Sequence, residues 1–174
     1  MLECDSRVHL FYTNNVEELD KADIVILPGS KSTIDDLYEL RRNGVAQAIL
    51  RANRRGATVM GICGGYQMMG QQILDPDHIE GELEAFPGLG LLPTVTQMSS
   101  KKVTRQVKFY LSMGGETLME GYEIHMGVTT AIEGKTMQPL LQLENGETDG
   151  CWVNATCMGT YVHGILDNAS FIDY

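Results

Sequence analysis

Hydrophobic positions change rhythm partway along this chain. "RVHLFY" (Arg7 to Tyr12) and "ADIVILPG" (Ala22 to Gly29) read as strands, the second an unbroken β-branched run of the kind buried on both faces of a parallel sheet. "STIDDLYELRRNG" follows with helical spacing: Ser32 stands at the N-cap, Asp35 and Asp36 in the first turn, Arg41 and Arg42 in the last, and Gly44 after them. "VAQAILRANRRG" is a second short helix with its own stop at Gly56, "ATVMGIC" another buried strand, and "GYQMMGQQIL" another helix. The β-α-β-α order predicts a doubly wound parallel sheet with ligands at the carboxyl ends of its strands. After "PGLGLLP" the period falls to two. "KKVTRQVKFYL", "GYEIHMGVTTAI", "LLQLENG" and "GCWVNATCMGTYVHG" read as short, partly antiparallel strands separated by glycine-rich turns. "NASFIDY" at the end has the pattern of the first turns of a helix cut short, which suggests a truncated chain.

The 174 residues suit one well-cored domain, without repeats or low-complexity linkers. Lys and Arg number 13 against 23 Asp and Glu, a formal charge of −10, so nucleic acid is not expected as a partner. No apolar run approaches the ~18 residues of a membrane span, and "MLECDSRVHLFY" lacks the basic start and apolar core of a signal peptide, so a cytoplasmic protein is expected, with no membrane partner. Cys4, Cys63, Cys151 and Cys157 have no C-x-x-C spacing, which argues against a zinc site and a disulfide framework. Cys4, Cys151 and Cys157 read as inert.

Cys63 differs from the other three. In "GICGGYQ" it ends an apolar strand and opens a helix between glycines, the logic of a nucleophile elbow. A helix N-terminus is expected to lower its thiol pKa, and the N–H of Gly64 to face a developing oxyanion. A buried structural cysteine at a glycine-rich turn is the plainer alternative. A thiolate needs a base, and four histidines are available. His9 sits within the first expected strand and His78 in the polar loop "LDPDHIEGE"; both fit solvated or satisfied roles. His163 ends the strand "MGTYVHG", where sites in open sheets collect, and ranks ahead of His125, which shares a strand face with Glu123 in "GYEIHMG". "LPGSKST" fails the phosphate-loop template, since Ile24 stands where the first glycine belongs and Ser30 follows Gly29. Its backbone N–H groups, around Gly29 and Ser30, are better placed to complete an oxyanion hole opposite Gly64.

Taken in order, "ADIVILPGSKSTIDDL", "GICGGYQMMG", "ILDP" with "IEG", "GLGLLP", "GYEIHMG" and "GTYVHGILDN" make the chain resemble a class I glutamine amidotransferase domain, in the arm found at the C-terminal end of cobyric acid synthases. The resemblance spans nearly the whole chain. It implies a flavodoxin-like α/β fold, a central, mostly parallel sheet flanked by helices with antiparallel strands in the second half. It also implies that Cys63 attacks the side-chain amide of L-glutamine to give a thioester, with His163 as acid and base. Gly29, Ser30 and Gly64 would form the oxyanion site, Gln67 would contact substrate, and Tyr122, Glu123 and His125 would line the pocket. No cofactor or metal is implied within the domain. ATP and Mg²⁺ would belong to a missing N-terminal synthetase domain, the partner that presents the corrinoid substrate. The sister cobyrinic acid a,c-diamide synthases usually show a P-G-G turn where this chain has "PGSKST".

One departure stands out: amidotransferases with a full Cys-His-Glu triad carry Glu two residues after the histidine, and Ile165 occupies that place. The cobyric and cobyrinic branch is similar in lacking it. Glu123 and Asp167 are the candidates to orient His163 instead. Two other readings stay open. Cysteine peptidases and deglycases share the superfold, although they usually place the base directly after the nucleophile, where Gly64 stands. A glutamine-binding or partner-binding module without turnover is the second.

Overall fold

The computed structural model describes residues 2–173 apart from the Cys4 side chain, so the expectation of an inert Cys4 lies outside the described residues. After a 3₁₀ turn at Leu2–Cys4 the chain runs irregularly to α1 (Val16–Leu19), where the Asn15 side chain accepts the Glu17 N–H. The expected strand at Arg7–Tyr12 does not form. Asp5 accepts the N–H and guanidinium of Arg7, the Val8 N–H turns back to the Asp5 carbonyl at 3.0 Å, and no strand edge takes the segment's backbone. His9 therefore lies outside any strand, stacked edge-on against Phe11.

The predicted alternation then follows. β1 (Ile24–Leu27) leads to α2 (Thr33–Arg42), α3 (Val45–Arg54), β2 (Thr58–Ile62) and α4 (Gly64–Met69). Asn43 ends α2, and Gly44, at φ 82°, reverses the chain into α3 with a backbone that a side chain would strain. In α3, Val45, Ala46, Ala48, Ile49 and Ala52 are buried on one face, as a 3.6-residue period requires. The expected helix over 65–74 stops at Met69. The Gln71 N–H donates to Thr94 O at 2.7 Å, and the chain enters β3 (Gln72–Leu74) instead, because pairing with a neighbouring strand competes with helix here.

β4 (Ala85–Pro87), β5 (Thr94–Leu111), β6 (Met119–Ala131), β7 (Leu141–Leu143), β8 (Thr148–Asp149), β9 (Cys151–Asn154), β10 (Cys157–Thr160) and β11 (Val162–His163) follow. A 3₁₀ turn, Ile165–Asp167, and the short α5 (Ala169–Ile172) close the described chain.

The strands form two sheets. In the first, of order β1-β2-β10-β9, β2 lies parallel to both β1 and β10, while β9 is antiparallel. The second is built on the long β5-β6 hairpin, which changes register between Gln97 and Lys102 and carries β11 on its outer edge. Val25, Leu27 and Val59 pack with α2, α3 and α4 into one core. Met60, from the opposite face of the first sheet, joins Phe109, Leu140, Leu141 and Ile165 in a second. Helices thus line one face of the parallel strands, and the hairpin sheet meets part of the other. A cleft of about 2160 Å³ remains on that other face, between Ile24, Met60 and Trp152. Among the described residues no helix is long and apolar enough to cross a membrane.

Candidate active site

Cys63 sits between β2 and α4 with φ 55° and ψ −112°, a conformation that L-residues seldom adopt. Its N–H donates to Thr160 O at 2.8 Å, which fastens the elbow to the neighbouring parallel strand. The glycines around it are required by contact. A Cβ on Gly61 would lie 2.6 Å from Gly65 O, one on Gly65 2.0 Å from Leu27 O, and one on Gly64 2.7 Å from Ser30 N. The elbow, β1 and the turn after β1 therefore pack too closely to admit a side chain at these glycines.

That turn carries Gly29 and Ser30. A Cβ built on Gly29 would stand 3.3 Å from His163 Cε1 and 3.6 Å from Cys63 Cβ, so Gly29 is wedged between the two candidate catalytic side chains. The Ser30 hydroxyl donates to Asp36 at 2.5 Å and accepts the Ser32 N–H at 3.0 Å; its side chain shapes the turn while its N–H stays beside Gly64. Ser32 occupies the N-cap position of α2, but its hydroxyl bonds Asp35 rather than a backbone N–H.

β11 pairs with β6 so that His163 stands opposite Tyr122. The two rings stack at 5.1 Å and 8°. Among the described residues His163 Nε2 is buried without a hydrogen-bond partner. Glu123 is buried, and its carboxylate pairs with Arg105 opposite it on β5; Arg105 also reaches Glu147 at 2.6 Å. Asp167 lies beside Gly164, and Ile165 is fully buried in the second core, where a carboxylate would be costly. What holds the His163 ring is its face against Tyr122. The Glu123–Arg105 pair gives a direct test: Arg105→Met leaves a buried carboxylate without its cation. It is expected to cost about 2–3 kcal/mol in urea unfolding, less than the ~3–5 of a wholly buried pair because Arg105 is partly exposed; an unchanged midpoint would refute it.

His125 stacks on Tyr161 at 3.8 Å, and among the described residues its buried Nδ1 has no hydrogen-bond partner. Burial holds its pKa below the ordinary histidine value, so it is neutral near pH 7. Gln67 is buried with its amide fully engaged: Nε2 donates to Met126 O at 2.8 Å and to Tyr161 Oη at 3.2 Å, and Oε1 accepts from Thr33 Oγ1 at 3.2 Å. Gln67 thus ties α4 to α2 and β6. His78 lies apart from this site, bonded to Gly81 O at 3.2 Å in its loop.

The expected low thiol pKa is not found. Burial foremost pushes the Cys63 thiol up, and the negative charges of Glu80 and Asp149 add to it. The Gly64 N–H, which bonds the sulfur, opposes them without prevailing, because α4 is only six residues long. Asp149, buried and accepting from Thr160 and the Tyr161 N–H, is itself pushed up to about 6 by burial. The resting sulfur is a thiol, donating to Ile124 O at 3.4 Å. Its alkylation by iodoacetamide should therefore keep accelerating above pH 9, past the ordinary thiol inflection; a plateau below pH 8 would contradict this. Cys151 and Cys157 are buried, with burial raising them to about 11 and about 12, as inert thiols.

Sequence reasoning missed Glu80, Asp75, Arg105, Asp149 and Tyr161. Asp75 is fully buried and accepts the Ile79 and Glu80 N–H groups, both at 2.8 Å. A carboxylate inside the "ILDP" turn was the available signal. Among the described residues no three His, Cys, Asp or Glu side chains are grouped to hold a metal ion.

Residues 1–171 match the CobB/CobQ-like glutamine amidotransferase domain family. The chain is 65% identical over 173 residues to a cobyric acid synthase of Phocaeicola vulgatus, covering 99% of this chain and 35% of that protein. It is 66% identical over 174 residues to one of Bacteroides fragilis, with 100% and 35% covered. It therefore spans about a third (35%) of the length of these curated relatives. Among solved structures, a glutamine amidotransferase superposes with a TM-score of 0.65 at 15% identity, covering 92% of this chain and 80% of that one. PurLQS from Thermotoga maritima gives 0.57 at 20% identity, covering 81% and 68%; both likenesses are of fold.

Proposed function

Because the chain belongs to the CobB/CobQ-like glutamine amidotransferase family, we propose that it is the glutaminase part of a cobyric acid synthase, releasing ammonia from L-glutamine through a thioester on Cys63. The observation that carries the reading is the wedge of Gly29 between Cys63 and His163, beside the Gly64 and Ser30 N–H groups.

The first step starts from the sulfur as a thiol, the form that donates to Ile124 O. Cys63 meets substrate protonated, so its proton passes to the unpartnered Nε2 of His163 as sulfur attacks the amide carbon. The amide oxygen gains charge facing the N–H groups of Gly64 and the Gly29–Ser30 turn. The C–N bond breaks as His163 returns the proton to nitrogen, and ammonia leaves. Water, deprotonated by His163, then attacks the thioester carbon and glutamate departs, restoring the thiol. Gly64 must be glycine for approach alone, since a Cβ there would lie 2.7 Å from Ser30 N, whereas a Cβ on Gly29 would press on His163 Cε1 at 3.3 Å.

In the whole enzyme the ammonia would amidate the b, d, e and g carboxylates of adenosylcobyrinic acid a,c-diamide, activated by ATP and Mg²⁺ in a separate N-terminal synthetase domain. Cobyrinic acid a,c-diamide synthesis is the neighbouring alternative within the family. Ile165, where a triad glutamate would orient His163, favours a second reading, a glutamine-binding module without turnover. Supplying the synthetase half with ATP, Mg²⁺ and the corrinoid separates them: glutamine-dependent ammonia release should rise and feed amidation. Bound glutamine that is never hydrolysed would support the silent module.

A further inference from the structure

A base that moves protons at a fixed point must have its ring held, and His163 has no carboxylate two residues on to hold it. Ile165, at that place, is fully buried in one core with Met60, Phe109 and Leu140. Pairing of β11 with β6 and the turn at Gly164, φ 78°, fix the backbone of His163 but leave the imidazole to rotate about its side-chain bonds. Glu123 does not supply the restraint. Successive residues of a strand face opposite sides, and the register sets Glu123 across from Val162, while Tyr122 stands across from His163 on the shared face. The Glu123 carboxylate is engaged by Arg105, its own cross-strand partner on β5.

Tyr122 meets the imidazole in a geometry that restrains it. The ring planes lie within 8° of each other with centroids 5.1 Å apart, an offset stack that selects one setting of the imidazole plane. The Gly29 turn closes on the edge of the same ring, since a Cβ there would stand 3.3 Å from Cε1. Face and edge are thus both bounded. An aromatic face also attracts a cation within about 6 Å of its centre, and the imidazolium formed when His163 takes the Cys63 proton is such a cation. Packing does not account for Tyr122: it is 45% exposed and belongs to neither core. We propose that Tyr122 is the positioning residue of His163, its ring face setting the imidazole plane and steadying the imidazolium where no triad carboxylate does so. This rests on the glutaminase reading, to which it adds the group that orients the base.

The test sets the wild type beside Tyr122→Phe, Tyr122→Leu and Tyr122→Ala, measuring kcat and KM for ammonia release from glutamine by the 174-residue chain, with and without the synthetase half. Phenylalanine keeps the stacking face and should hold kcat within about twofold. Leucine, bulky but without a planar face, and alanine should each lower kcat about 10- to 100-fold with KM within about twofold, because the base acts in the transition state and not in substrate binding. Proton NMR reads the stack without reference to turnover. The His163 ring protons, assigned by their loss in His163→Gln, should be shielded in the wild type and Tyr122→Phe and move downfield in Tyr122→Leu. Should Tyr122→Ala fail to fold, Tyr122→Leu carries the test by itself. Leucine as active as phenylalanine, a loss carried in KM, or His163 protons that do not move would overturn the inference and leave the glutaminase reading standing. Loss of kcat in Asp167→Asn instead would give the orienting task to that carboxylate. No ammonia from the wild type in either condition would overturn the glutaminase reading and the inference with it.

Discussion

Replacing Cys63 with alanine is expected to lower glutamine-dependent ammonia release at least about a thousandfold, with no loss of secondary structure. The effect is large because no other described group is placed to substitute: Cys151 and Cys157 are buried, high-pKa thiols on β9 and β10. Stability should move differently. At φ 55° every non-glycine residue is strained, so Cys63→Gly should be more stable than Cys63→Ala by about 1 kcal/mol while being just as inactive. Urea unfolding of the pair measures this. Equal midpoints would mean that the elbow relaxes once sulfur is removed. Substantial ammonia release by either variant would remove Cys63 from the mechanism.

Gly65→Ala carries the largest expected loss of stability. Alanine in a helix is intrinsically favoured over glycine by about 1 kcal/mol, which argues for a gain. Contact decides against it: the new methyl would lie 2.0 Å from Leu27 O and 2.5 Å from its carbonyl carbon, and backbone cannot swing aside as a side chain can. α4 must then separate from β1, opening the first core beside Leu27 and Tyr66. Overpacking of this kind costs about 1–3 kcal/mol and occasionally more, and about 4 kcal/mol is expected where the neighbour is main chain. A net loss near 3 kcal/mol corresponds to a fall in Tm of about 6–12 °C for a chain of this size. Gly81→Ala is the control, with open space around the site and no positive φ. Equal melting of the two variants would show that the elbow is looser than the contacts require.

The parallel half of the fold was legible because its signals are local. A β-branched run, a glycine stop and a 3.6-residue period each act within a few residues, and β1, α2, α3 and β2 follow from them. The Cys63 elbow was legible for the same reason, as a nucleophile flanked by glycines at a strand end. Misreadings arose where pairing decides. Arg7–Tyr12 alternates like a strand but finds no edge, and the helix expected beyond Met69 gives way to pairing of Gln72 with Val95. The thiol pKa failed for an electrostatic reason: burial, joined by the charges of Glu80 and Asp149, outweighs the one N–H of Gly64. Glu80 was hidden by distance, since its partner Thr33 is 47 residues away. Arg105 meets Glu123 only through the β5-β6 register, which shifts within the hairpin.

The central claim is that Cys63 bonds covalently to the substrate's side-chain carbonyl carbon. Glutamine mixed with the chain, quenched in acid and digested, tests it by the mass of the Cys63 peptide. The account predicts a gain equal to glutamine less ammonia on that peptide, lost in Cys63→Ala and discharged by hydroxylamine to γ-glutamyl hydroxamate. Glutamine consumed with no adduct on Cys63 and no hydroxamate formed would contradict it.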